Sequence, residues 1–96
     1  MAAPVLSQVQ YNGTQIRANF TYVDPNQQTF QIALFEGSNT TPSQVASSGP
    51  LVATLNNPQM NNTSAWWVAI AAVTGGVVGP LAITSPSLLV RRRTSQ

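Results

Sequence analysis

Ninety-six residues are enough for one domain and too few for two. Hydrophobic residues make up 43% of the chain but charged ones only 6%, against roughly 25% in an ordinary soluble domain. Lys, His and Cys are all absent, which removes disulfides, thiolate chemistry and the usual activators of a Ser or Thr nucleophile.

Short runs with period-two alternation, separated by turn residues, dominate the chain. Val5 to Tyr11 is predicted as a first strand, closed by Asn12-Gly13, a two-residue hairpin signal. Gln15 to Val23 follows, with Ile16, Ala18, Phe20 and Tyr22 on one face and Arg17, Asn19 and Thr21 on the other. Asp24-Pro25-Asn26 then forces a turn. Thr29 to Glu36 alternates again, setting Phe30, Ile32 and Leu34 against Gln31, Ala33 and Phe35. Gly37 to Pro50 reads as a long polar loop with one short edge strand near Val45; Leu51 to Leu55 is a short strand and Asn56 to Ser64 a second loop. Ala65 to Val73 carries the strongest strand signal in the chain. Thr74-Gly75-Gly76 turns it into Val77 to Val90, where Pro80 and Pro86 indicate an edge position or a bulge, because a central strand would lose ladder bonds there. The expectation is an all-β fold over residues 1–90, an antiparallel two-sheet sandwich of about seven strands.

Residues 1–90 carry one cation, Arg17, against the two acids Asp24 and Glu36, so the formal charge of +2 comes from Arg91, Arg92 and Arg93 in a short basic tail. Residues 91–96 are expected to be disordered, and no basic face is available to track a phosphate backbone, so nucleic acid is not an expected partner. A surface made soluble by Asn, Gln, Ser and Thr repels its copies weakly, which favours association with itself or with another protein. Ala65 to Ile83 is uncharged over 19 residues and superficially resembles a membrane span. Gly75-Gly76, Gly79-Pro80 and the strand alternation before them argue against that reading. Met1-Ala2-Ala3-Pro4 shows no basic segment followed by an apolar one, so no signal peptide is visible and the compartment stays open.

The carboxylates do not form a catalytic pair. Asp24 precedes the predicted third strand and Glu36 ends it, a separation of roughly 20 Å at about 3.3 Å per strand residue. A glycosidase pair needs about 10 Å or less. Zinc would lack soft ligands, and calcium would find one carboxylate among neutral oxygens. No catalytic residue, metal site or cofactor is expected.

Phe20 in Ile16-x-Ala18-x-Phe20, Phe30-x-Ile32-x-Leu34, Leu55 followed by Pro58, Trp66-x-Val68-x-Ile70-x-Ala72-Val73-Thr74 and Gly79-Pro80 with Pro86 beyond occur in a particular order. In that order, beginning from Pro4 and Leu6, the chain resembles a fibronectin type III domain. The resemblance implies a binding or spacer module, in an extracellular or surface-associated setting. Two departures stand out. Trp66 replaces the tyrosine the family places at its corner, and the loop between Leu55 and Trp66 is longer than usual. No Arg-Gly-Asp occurs in the last hairpin, so integrin binding does not carry over.

If Trp66, Val68, Ile70 and Ala72 point inward, then Trp67, Ala69, Ala71 and Val73 point outward, beside Ala33 and Phe35 of the neighbouring strand. An outward apolar patch of Ala33, Phe35, Trp67, Ala69 and Ala71 is the expected contact surface, with self-association as the expected use. Two other readings remain open. The Gly37–Pro50 segment folds back and covers the patch, or Trp67 and Phe35 form a platform for sugar rings in a lectin- or adhesin-like module.

Overall fold

The computed structural model describes residues 2–60 and 63–83. Eight strands occur among them: β1 (Val5–Tyr11), β2 (Gln15–Thr21), β3 (Phe30–Glu36), β4 (Gln44–Ser48), β5 (Val52–Asn56), β6 (Trp66–Thr74), β7 (Val77–Val78) and β8 (Ala82–Ile83). They form two antiparallel sheets. One has the order β1-β2-β5; the other runs β4-β3-β6, and β7 and β8 pair in succession with the far side of β6. The segment from Ala65 to Ile83 is therefore a strand hairpin, and no helix among the described residues is long and apolar enough to cross a membrane.

The core lies between the sheets, where the alternation of the sequence places it. β2 contributes Ile16, Ala18 and Phe20; β3 contributes Phe30, Ile32 and Leu34; β5 contributes Ala53 and Leu55; β6 contributes Trp66, Val68, Ile70 and Ala72. Phe20 meets Phe30 edge to face at 4.9 Å between ring centroids, and Tyr22 meets Phe30 at 5.2 Å. Leu6, Val9 and Tyr11 of β1 pack against this core. Leu6 and Val9 are three apart rather than two because the pairing of β1 with β2 shifts between Leu6 and Gln8. The Ser7 hydroxyl, inside that shift, donates to the Asn19 carbonyl at 3.1 Å.

Turn chemistry explains most of the boundaries and corrects one. The first hairpin closes one residue later than Asn12-Gly13 suggests. The Asn12 amide donates to the Gln15 carbonyl, so the two-residue loop is Gly13-Thr14, with Gly13 at φ +100°. Asn12 belongs to the closing pair, where its side-chain oxygen accepts from the amides of Thr14 (2.9 Å) and Gln15 (2.8 Å). The last described hairpin pairs Thr74 with Val77 across Gly75 and Gly76, at φ +58° and +79°, the primed turn that suits strand twist. An added Cβ at either glycine meets nothing within 4 Å, so substitution costs backbone strain alone. Gly75→Ala and Gly76→Ala are each expected to cost about 1–2 kcal/mol, and Gly76→Asn distinctly less, as read by thermal unfolding.

The final strand departs from the continuous run expected from Val77 onward. β7 and β8 are separate, and their register on β6 shifts by one residue across Gly79-Pro80-Leu81. Gly79 still donates to the Ala72 carbonyl at 2.9 Å, so the irregularity falls at Pro80, which has no amide to lose. Pro86 and the basic tail Arg91, Arg92 and Arg93 lie outside the described residues.

Candidate interaction surface

The outer face of the five-stranded sheet is organised by cross-strand register. Phe35 of β3 lies opposite Trp67 of β6, Ala33 opposite Ala69, and Gln31 opposite Ala71. The Ala33–Ala69 row extends at both ends, to Val45 on β4 and to Ile83 on β8. One apolar row thus crosses four strands, and an aromatic pair lies in the next outward row along β3 and β6. The five residues expected to share a face do share it.

They do not lie open to solvent, and this corrects the sequence-based picture. Ala33, Ala69 and Ala71 are buried, and Phe35 is only 5% exposed. Ala33, Phe35 and Ala69 form a second, smaller cluster against which Trp67 packs. A ring stack closes the Phe35 end of this cluster. The indole of Trp67 lies flat on the Phe35 ring, with centroids 4.1 Å apart and planes 7° from parallel. Its Nε1–H donates to the Gly37 carbonyl at 2.8 Å. Gly37, at φ +57° just beyond β3, also donates its amide to Ala65 at 2.7 Å and so joins the exit of β3 to the entry of β6. The indole is held at both its face and its edge.

This arrangement limits the sugar-platform reading, because Phe35 gives its ring face to Trp67 and leaves one aromatic plane rather than two. The Gly37–Pro50 segment does not fold over the patch as a sheet cover. Its strand β4 continues the sheet sideways, and the Gly37 carbonyl accepts from the Trp67 indole. What the face offers outward is the half-buried Trp67, flanked by Val45 (48% exposed) and Ile83 (54% exposed). Val77, Val78 and Leu81 add exposed apolar side chains along the adjoining β7–β8 edge. The sequence reading passed over these edge residues, although the prolines beyond Val77 had already marked that run as an edge.

Acidic groups are sparse around the face. Glu36 accepts from the Ser64 hydroxyl at 2.7 Å, and no cluster of three or more His, Cys, Asp or Glu able to hold a metal occurs among the described residues. The arrangement can supply apolar and aromatic contact.

Among solved structures, the chain is similar to an FN3 domain of human collagen XX, with a TM-score of 0.61 and 20% identity over 88% of this chain and 92% of that one. It is also similar to the FN5 domain of Drosophila Lar, with a TM-score of 0.56 and 13% identity over 86% and 92% of the two chains. The fold is that of a fibronectin type III domain. No family model matches the sequence, and neither does any curated protein. At such identities the likeness concerns the backbone. Within this sandwich Trp66 is buried in the core, and its neighbour Trp67 turns an aromatic plane outward.

Proposed function

We propose that this chain is a non-enzymatic structural or interaction module that makes protein–protein contact, and associates with itself, through the outer face of its five-stranded sheet. The observation that carries the proposal is the fixed Trp67 indole, stacked on Phe35 and hydrogen-bonded to Gly37 O. An aromatic anchor already held in one position loses little freedom on binding, and large aromatics of this kind carry a disproportionate share of contact energy. Val45 and Ile83, exposed on the neighbouring row, would add apolar area around the anchor in such a contact.

A second copy fits this face chemically. Residues 37–90 contain no charged side chain, so two such faces meet without like-charge repulsion or the cost of burying an unpaired ion. A two-fold contact would place the same apolar row on both partners. The body that remains is a small spacer with only three charged side chains, Arg17, Asp24 and Glu36, in residues 1–90, in keeping with a structural module.

Val45→Lys and Ile83→Lys test the proposal at exposed positions. Each puts a cation into the apolar row without removing a core contact, and together they are expected to weaken association at least tenfold while leaving the unfolding midpoint nearly unchanged. Sedimentation velocity reads the first effect and thermal unfolding the second. Unaltered association in the double variant would remove this face from consideration.

A further inference from the structure

The end of the sandwich that holds the β2–β3 turn carries a cavity of about 260 Å³ that belongs to no part of the outer face. Its walls are Tyr22, Pro25, Phe30, Pro50 and Leu51, and Asp24 supplies the carboxylate. Leu51 is unusual. It occupies the left-handed region at φ +76°, costly for a residue with a Cβ, and its side chain is 57% exposed at the pocket. Its carbonyl accepts from the Phe20 amide at 2.9 Å, which helps hold that backbone in place. Gln27 also lines the pocket, and its side-chain amide is fixed by donating to the carbonyls of Thr29 and Val73, both at 2.8 Å. Apolar and aromatic walls around one carboxylate suit a cation on a long aliphatic stem, which packs along the walls while its head reaches the acid. A planar guanidinium meets both demands, stacking on a ring and pairing with a carboxylate.

We propose that this pocket receives an arginine of the Arg91–Arg93 segment from a second copy of the chain. Charge complementarity supports the assignment. Residues 1–90 hold two acids, of which Glu36 ends β3 and accepts from Ser64, whereas Asp24 is exposed at the pocket. Asp24 uses Oδ1 to accept from the Asn26 amide at 2.9 Å, and its charge finds no cation among the described residues in the contacts it makes. Reach permits a second copy. The C-terminal end of β6 is tied to the pocket residue Gln27 through the Val73 carbonyl, and β7 and β8 lead back along β6 to Ile83, which pairs with Ala69. An extended stretch of eight residues reaches at most roughly 27 Å, enough to bridge from Ile83 to the pocket of a neighbouring copy. Such a contact is head to tail. It differs from the face-to-face contact above and adds copies along a line.

Amide NMR of the full chain at low salt tests this over a wide concentration range. Expected in the unaltered chain are concentration-dependent shifts at Tyr22, Gln27, Phe30 and Leu51. They should vanish when Arg91→Gln, Arg92→Gln and Arg93→Gln are combined. Asp24→Asn keeps the acceptor for Asn26 and should weaken the fitted affinity roughly fivefold. Shifts confined to Trp67 and Ile83 that survive the triple substitution would leave the outer face standing and overturn the pocket. So would pocket shifts that differ between the unaltered and triple-substituted chains independently of concentration, because the segment would then fill its own pocket. Pocket shifts insensitive to Asp24→Asn would also overturn the assignment.

Discussion

Phe30→Ala is expected to lower the free energy of unfolding by about 3–5 kcal/mol, the largest effect of any single truncation considered. Phe30 is fully buried and is the ring against which both Phe20 and Tyr22 pack edge to face, so its removal opens a cavity bounded by two aromatic rings. Domains of this size are stable by on the order of 5–15 kcal/mol, so the variant would be close to unfolding at ambient temperature. Phe30→Leu retains most of the volume and should cost less than about 2 kcal/mol. Urea unfolding separates the two variants by midpoint at nearly constant slope. A Phe30→Ala cost below about 1 kcal/mol would mean that the rings between the sheets are not packed as described.

Trp67→Ala should produce the second largest change, and it should do so in two measurements. Removing the indole uncovers Phe35 and the alanines beside it and breaks the bond to the Gly37 carbonyl, a combined cost of about 2–3 kcal/mol in stability. It should also abolish association through the outer face, measured at high salt where the pairing of arginine with Asp24 is screened, because the anchor is gone. Trp67→Phe separates the two roles. The stack on Phe35 survives while the N–H is lost, so stability should fall by only about 1 kcal/mol, with association reduced rather than eliminated. If Trp67→Ala associates as the unaltered chain does, the indole serves only to close the fold's own outer cluster.

The contrast between Trp66 and Trp67 shows how far the sequence reaches. Period-two alternation assigned the two indoles to opposite faces, and it did so because a strand has no freedom in that respect. The alternation likewise placed Ile16, Ala18 and Phe20 inside, and Gly75-Gly76 announced a turn that needs two positive φ angles. Exposure was another matter. Whether an outward Phe35 is bare depends on which residue of β6 stands opposite it, and residues 35 and 67 are brought together only by sheet register. It depends also on the indole lying flat, a consequence of the Gly37 carbonyl that no local pattern encodes. The irregularities hid for a similar reason. The register shift at Ser7, the left-handed Leu51 and the one-residue displacement of the first turn past Asn12 each arise from a bond to a residue on another strand or from a side chain replacing a backbone acceptor.

The end pocket was illegible for the same physical cause. Tyr22, Asp24 and Pro25 belong to one turn, but Pro50 and Leu51 arrive from the segment before β5, and neither stretch alone suggests a cavity. Asp24-Pro25-Asn26 gave only a turn signal, which the Asp24 contact to the Asn26 amide fulfils.

Sedimentation equilibrium of the unaltered chain at high salt, as a function of concentration, bears on the proposed contact face without ambiguity. Salt screens any pairing of arginine with Asp24 but leaves apolar contact intact or strengthened. A mean mass that climbs from 10.2 kDa toward at least twice that value is the predicted outcome. A mass fixed at 10.2 kDa at every concentration would contradict it.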